Sequence, residues 1–534
     1  MKRTALAAVL WLTLSLFSAQ GQGIGIATTN GNATIAWPLT AYHYALQARA
    51  NLTDTNAWTV LGSASPVTTA FVGNNLTVFT NFTTNSIFFT QPVASASQFF
   101  RLKGLAFVPV FSFAIFYDQP LEFSDSATIQ FNGLIHANGP IYTGPGMNAS
   151  QTFNGTVTTT SAITSPVRGG LTYTTSQIYF NATPPFVTNV PAFLPLIGTN
   201  HPHAIIDIPP SPAQEQVMSP SGQSRLYNQA QVVLLVTNGA AGSSPTVWVI
   251  LQTAYNGILP GADASKVFIV LTNTTEAYLA TNSFVKLSFL SFTNTFVDQR
   301  QSAGNQFVTQ IDINRYNSWL QTNVLVAGKF TGGNYPVILY VADLRTNGSQ
   351  QAVVRLINGA KLPYNNGLGF TMATMNPLYV KGNYNVTVDS NTYAMTLGST
   401  TNGATVPAAL MADAITILSP AWNDAQSMAN YSVRNAVSMT VNAALLCGNV
   451  PSTGTTASTF SGGVHNLPRF LEDWSGVTLV LNTSLVCTFS SRIATSQFQF
   501  PGAYYEPPTR LWGFDTTILN PSKLPPGTPL YSLP

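Results

Sequence analysis

The stretch "ATIQFNGLIHANGPIYTG", residues 127–144, decides the fold class. Its short apolar runs are closed by Asn132-Gly133 and Asn138-Gly139, and Asn and Gly tolerate the left-handed backbone that a corner between strands requires. Comparable runs recur as "VVLLVTNG" (232–239), "TVWVILQT" (246–253), "KVFIVLTN" (266–273), "PVILYVADL" (336–344), "NAALLCGNV" (442–450) and "GVTLVLNTSLVCTF" (476–489). Apolar runs of about four to eight residues bounded by turn formers fit strands buried on both faces. The expectation is an all-β chain with a β-solenoid-like (parallel β-helix) region over residues 105–500, each coil burying its face on the next. Tandem antiparallel sandwiches are the alternative arrangement.

Asn, Thr, Ser, Gly and Val dominate and only 7% of residues are charged, a composition that favours strands and turns. At 534 residues the chain exceeds what one hydrophobic core usually supports, so more than one unit is expected. A net charge of +3 leaves no basic footprint, and nucleic acid is not an expected partner. The opening "MKRTALAAVLWLTLSLFSAQGQG" has a basic start, a short apolar run and small residues after it. It reads as a signal peptide over residues 1–21, cut near Gly21 and Gln22, which predicts an exported chain: extracellular, at the cell surface or in the periplasm. The nearest later approach to a membrane segment, "LAFVPVFSFAIFY" at 105–117, stops at Asp118 and reads as buried strand. No stable membrane span is expected after signal cleavage.

Residues 22–103 carry alternating runs separated by turn signals, in the order "TIAWP", "YALQARANLTDTNAWTVL", "FFRL". This order resembles a fibronectin type III-like β-sandwich module of exported proteins of Verrucomicrobia and related bacteria, which implies no catalysis. The proline-rich end, residues 501–534, reads as an arm packed on the preceding region, with Trp512 and Phe514 as anchors. The ordered set "NPLYVKGNYN" (376–385), "ADAITILSPAWNDA" (412–425), "GGVHNLPRFLEDW" (462–474) and "YYEPPTRLWGFDTTILNPSKLPPGTP" (504–529) resembles a family of exported bacterial proteins similar to PilX-type, pilus-assembly-associated proteins. The resemblance implies fold and compartment but no reaction. PilX-type proteins keep an amino-terminal hydrophobic helix, whereas this chain opens with a cleavable-looking signal and a sandwich module.

"GGVHNLPRFLEDW" also gathers His465, Arg469, Glu472 and Asp473, the residue types that general acid and base chemistry needs. Its periodicity predicts a capped amphipathic helix: Asn466 at the N-cap, Pro468 in the first turn, and Leu467, Phe470, Leu471 and Trp474 on one apolar face. Arg469, Glu472 and Asp473 then face solvent, and His465, ahead of the cap, is left unexplained. A second helix is predicted in "DINRYNSWLQTN", capped by Asp312 with Ile313, Tyr316 and Leu320 on one face. "HPH" at 201–203 reads as turn residues rather than metal ligands, because Pro202 keeps the chain extended there and no ligand partner is near in sequence. Cys447 and Cys487 form no Cys-x-x-Cys pair, and the spacing leaves open a disulfide or two buried thiols. No nucleophile elbow, phosphate loop, metalloprotease helix or dinucleotide fingerprint is present, so neither cofactor nor metal is expected. The reading favoured is an exported, non-enzymatic structural or surface protein, adhesive or pilus-associated, whose partners are cell-surface or pilus proteins or polysaccharide. The alternative is a polysaccharide lyase or glycosidase on a β-solenoid, using His465, Arg469, Glu472 and Asp473.

Overall fold

The computed structural model describes the strands at 25–29, 32–38, 44–49, 59–63, 77–81, 86–92 and 99–104, then residues 107–146, 148–164, 177–197, 201–210, 214–215, 220–239, 245–251, 267–271, 287–292, 295–301, 304–330, 336–363, 367–388, 391–392, 405–454, 459–496 and 504–532. The segment read as a signal peptide, with its expected cut near Gly21 and Gln22, lies outside the described residues. The chain is all-β with a few short helices. Among the described residues no helix is long and apolar enough to cross a membrane.

The described strands between residues 25 and 104 pair antiparallel. They form a four-stranded and a three-stranded sheet.

Beyond residue 110 the pairing changes to parallel. One twelve-stranded sheet runs, in spatial order, through Phe186–Val187, Val157–Thr159, Ile135–Ala137, Ile115–Tyr117, Leu485–Cys487, Ala444–Cys447, Ala408–Ala412, Phe370–Thr374, Ile338–Asp343 and Val232–Thr237. All of these neighbours are parallel, and two antiparallel strands, Thr246–Leu251 and Val267–Leu271, finish the sheet. Spatial order departs from chain order at Ile115–Tyr117, which lies between the strand that follows it and Leu485–Cys487. The chain therefore enters the stack in its middle, winds out to Val187, returns to the far end at Val232, and winds back until its last coil meets its first. The seam is held by Leu485 N donating to Ala114 O (2.9 Å), Ser484 Oγ to Phe113 O (2.6 Å) and Asp118 N to Cys487 O (2.8 Å).

Both faces of this sheet are buried. Ile115, Tyr117, Leu410, Leu445 and Leu485 join an inner core shared with the other parallel ladders, including Phe123, Val354 and Leu481. Their neighbours Phe116, Met411, Leu446 and Val486 face an outer core with Ile205, Ile206, Leu226 and Tyr531. Residues from the return segment and the chain's end thus cover the outer face; Leu530–Ser532 pairs antiparallel with Phe107–Pro109 and Leu194–Pro195. The segment read as an arm is also a rung, since Thr509–Phe514 pairs parallel with Thr478–Thr483.

The corners are built by stacking. Phe131 lies on Phe153 (centroids 5.6 Å, 19°) and Phe153 on Phe180 (5.0 Å, 14°). Beside them Asn154 Nδ2 donates to Asn132 Oδ1 (2.7 Å) and Asn181 Nδ2 to Asn154 Oδ1 (2.8 Å). A buried counterpart joins Asn482 Nδ2 to Asn442 Oδ1 at 2.8 Å. These corner asparagines are not in the left-handed region, contrary to the reason expected for them; they are there to pass a side-chain hydrogen bond from coil to coil. The accompanying glycine answers to close approach. A Cβ on Gly155 would lie 1.9 Å from the Gly133 carbonyl oxygen, a backbone atom that cannot swing away.

The helix capped by Asp312 forms as expected over Ile313–Thr322, with Asp312 Oδ1 accepting from Arg315 N (3.0 Å) and Ile313, Tyr316 and Trp319 buried. The two glycine environments predict opposite signs. Gly155→Ala should destabilise by about 1–3 kcal/mol through overpacking. Gly328→Ala, in the helix Val324–Lys329 with nothing within 4 Å of its Cβ position, should stabilise by up to about 1 kcal/mol. Denaturant midpoints of the two variants check both.

Candidate functional site

A second parallel sheet places the charged residues. Its main strands are Asn305–Asp312, Gln351–Ile357, Leu378–Lys381, Ile415–Leu418 and Pro468–Arg469. Their register sets Gln310, Arg355, Tyr379, Thr416 and Arg469 side by side in one column, although the sequence spreads them widely. Phe296, Tyr379, Leu418, Trp422 and Leu471 pack as a separate apolar cluster on this side.

The helix predicted over 466–474 does not form. Gly463–Asn466 is a single 3-10 turn entered through Gly462 in the left-handed region (φ 79°), and Pro468–Arg469 then pairs with Ile415 and Thr416. The four apolar residues divide between opposite sides of the rung: Leu467, Phe470 and Trp474 go to the inner core and Leu471 to the outer cluster. With protein on both sides, His465, Arg469 and Glu472 are buried rather than solvent-facing, and Asp473 is partly buried.

Each of these residues meets a different environment. Glu472 accepts from both Ser419 N and Ser419 Oγ at 2.6 Å, one oxygen to each. Burial pushes its carboxyl up to about 7, opposed by the Ser419 bonds and the charges of Lys381 and Arg434. Asp473 Oδ1 accepts from Ser475 N (2.9 Å), and its backbone bridges Asn435 and Glu506 in a small parallel ladder. Burial, with Arg510 beside it, pulls the His465 imidazole down to about 3, so it is neutral. Arg300, reaching in from the neighbouring loop, donates to Asn466 Oδ1. Burial and the adjacent Arg469 pull Arg300 down to about 10. Asp298 Oδ2 accepts from Tyr379 OH (2.7 Å). Arg434 donates to the carbonyls of Ser427, Ala429 and Tyr504 at 2.7–2.9 Å, and Arg355 forks onto Asp424 at 2.6 and 2.9 Å. The four candidates are thus brought into one layer, where Glu472 grips a turn and Asp473 shapes one. A general acid or base must reach a substrate proton, and the buried Glu472 carboxylate has both oxygens engaged by Ser419.

A second cluster escapes sequence reasoning. His203 lies buried between Asp207 (Nδ1, 2.7 Å) and Asp413 (Nε2, 3.0 Å). Burial pulls this imidazole down, but the two carboxylates outweigh it and raise it above its ordinary value. Asp413 also accepts from Ser491 Oγ (2.5 Å) and from the backbone N–H of Arg492, Ile493 and Ala494. The histidine therefore ties the return segment to two coils. The reading of His201–His203 as extended residues with no ligand partner near in sequence is corrected: Pro202–Ile205 forms a 3-10 turn and Asp207 lies four positions from His203, a readable signal, whereas Asp413 is 210 positions away. Among the described residues no group of His, Cys, Asp and Glu is arranged to hold a metal ion. His136, on its rung, is satisfied by Thr158 Oγ1 (2.8 Å) and Asn138 Oδ1 (2.9 Å). Cys447 and Cys487, on adjacent inner rungs, are unbridged buried thiols, and burial pushes Cys487 up to about 12.

Comparison of the chain with family models, curated proteins and solved structures finds no match in any of the three.

Glu472 yields a pH prediction. Its folded pKa lies above its unfolded one, 4.5, so the native state holds the extra proton and stability falls as pH rises through roughly 4.5 to 7. The size is up to about 3 kcal/mol. His465 acts oppositely: its contribution is present above 6.5 and is lost as pH falls toward 3. Comparing wild type with Glu472→Gln isolates the carboxylate. The stability difference, wild type minus variant, should decrease between pH 5 and pH 8 by denaturant titration; a constant difference would show that Glu472 titrates alike in both states.

Proposed function

We propose that the protein is an exported, non-enzymatic structural or surface protein. In this reading a β-solenoid carries a fibronectin type III-like β-sandwich and offers a long, polar, sparsely charged surface to polymers or neighbouring proteins, adhesive or pilus-associated. The observation that supports it best is the commitment of the charged residues to the scaffold. Glu472 is spent on Ser419, Asp413 on His203 and the 491–494 turn, and Arg434 on three carbonyls. The continuous parallel ladder, buried on both faces, is a rigid spacer rather than a cleft. Neutral stacks such as Asn132, Asn154 and Asn181 line one corner and repeat from coil to coil, as a surface for a repeating partner would.

The mature chain, incubated with a panel of acidic and neutral polysaccharides, is expected to co-sediment with at least one and to release no sugar product from any. Turnover that Glu472→Gln abolishes would replace this reading with the lyase or glycosidase. Surface labelling of expressing cells is expected to find the protein outside the cytoplasm.

A further inference from the structure

Close to the seam of the parallel stack lies a small polar cavity of about 20 Å³, lined among others by Tyr117, Gln119, Glu122, Asn449, Ser452 and Ser461. It has room for one species the size of a water molecule. Tyr117, Gln119 and Glu122 belong to the coil that enters the stack, and the other three follow the strand Ala444–Cys447 of the returning half. Glu122 is 5% exposed. Its Oε2 accepts from Ser452 Oγ (2.6 Å), and its Oε1 is a buried acceptor with no hydrogen-bond partner among the described residues. No lysine, arginine or histidine lines the cavity. A carboxylate withdrawn from water with one oxygen unsatisfied is costly unless a proton or a cation neutralises it, and a water molecule there would supply a hydrogen bond but no charge.

We propose that this cavity binds a monovalent metal cation, sodium or potassium, with Glu122 as its charged ligand and neutral oxygens of the lining as its support. The walls are oriented before any ion arrives. Ser452 Oγ, which holds Glu122, accepts in turn from Ser461 N (2.9 Å). Asn449 Nδ2 donates to Gly463 O (2.8 Å) and Gln119 Nε2 to Phe489 O (3.3 Å), which fixes the carbonyl end of each amide. Asn449 Oδ1 accepts from Val450 N (2.8 Å) and Gln119 Oε1 from Ser490 Oγ (3.1 Å), and each keeps a second lone pair. Gly463, at φ 52°, brings its loop so close that a Cβ there would lie 2.2 Å from Glu122 O. Clustered His, Cys and carboxylate ligands are absent among the described residues, and here a lining of oxygen with no histidine or cysteine disfavours transition metals. Calcium takes six to eight oxygens and magnesium keeps several waters, more than this volume and one carboxylate provide. A bound ion would tie the entering coil to the returning half beside the bond from Asp118 N to Cys487 O. This site is independent of the proposed surface role and survives its failure.

The test is a thermal unfolding titration of the full chain at one pH and one ionic strength, exchanging tetramethylammonium chloride for sodium or potassium chloride. At least one of the two metal ions should raise the midpoint saturably, as binding to the native state does, relative to tetramethylammonium, which is too large for the cavity. In Glu122→Gln, which keeps the shape and removes the charge, the saturable rise should vanish. If that variant fails to fold, Glu122→Asp, whose carboxylate is drawn back by one methylene, should need several-fold more of the same ion to reach the same rise. No saturable rise with either ion, or an unchanged response in Glu122→Gln, overturns the proposal. So does a midpoint that moves with pH but not with the cation, which would show that a proton neutralises Glu122.

Discussion

Three residues on each side, Leu485–Cys487 against Ile115–Tyr117, join the two halves of the parallel stack. The rest of the body depends on that pairing. Without it the coils running from Val232 to Cys487 end in an open edge, and the coils from Ile115 to Val187 begin with one. Exposed edges of this kind are templates for unwanted pairing, and here each half covers the other's. The partners lie far apart in the chain, as the Ser484 to Phe113 bond with a separation of 371 shows. The stack can be completed only after nearly the whole chain is available, which places this fold among slow, non-local topologies.

Winding in from the middle has a second consequence. The chain must travel from Val187 back to Val232, and it does so across the outer face of the large sheet, burying Ile197, Ile205, Ile206 and Leu226. Parallel sheets need both faces covered, and here the return segment, with its short helix Leu226–Gln229, and the final strand cover the outer one. His203, gripped by Asp207 and Asp413, fastens this cover to the coils. Scarce charge is thus placed where segments distant in sequence must be held at a fixed spacing.

Much of this was legible from local pattern. The apolar runs closed by Asn and Gly do form strands, most of those with described burial being buried, because apolar continuity and turn residues act over a few positions. "GGVHNLPRFLEDW" is misread for a physical reason: the i, i+3, i+4, i+7 pattern implies one apolar stripe only if the other side meets water. In a rung packed from both sides, Leu471 and Trp474 serve opposite cores and Arg469 and Glu472 are buried too. The corner asparagines are a milder case, their position foreseen and their bonding, side chain to side chain between coils, not.

Local pattern in the chain suffices for its mostly-strand character, for many but not all of its strands and corners, and for the helix that Asp312 caps, since these depend on apolar runs, turn chemistry and capping within a few residues. The tertiary structure alone decided that Ile115 pairs with Leu485, that Arg469 comes to rest beside Arg300, and that Glu472 binds Ser419. Those contacts follow from the register of strands and loops many residues apart, which no local pattern encodes.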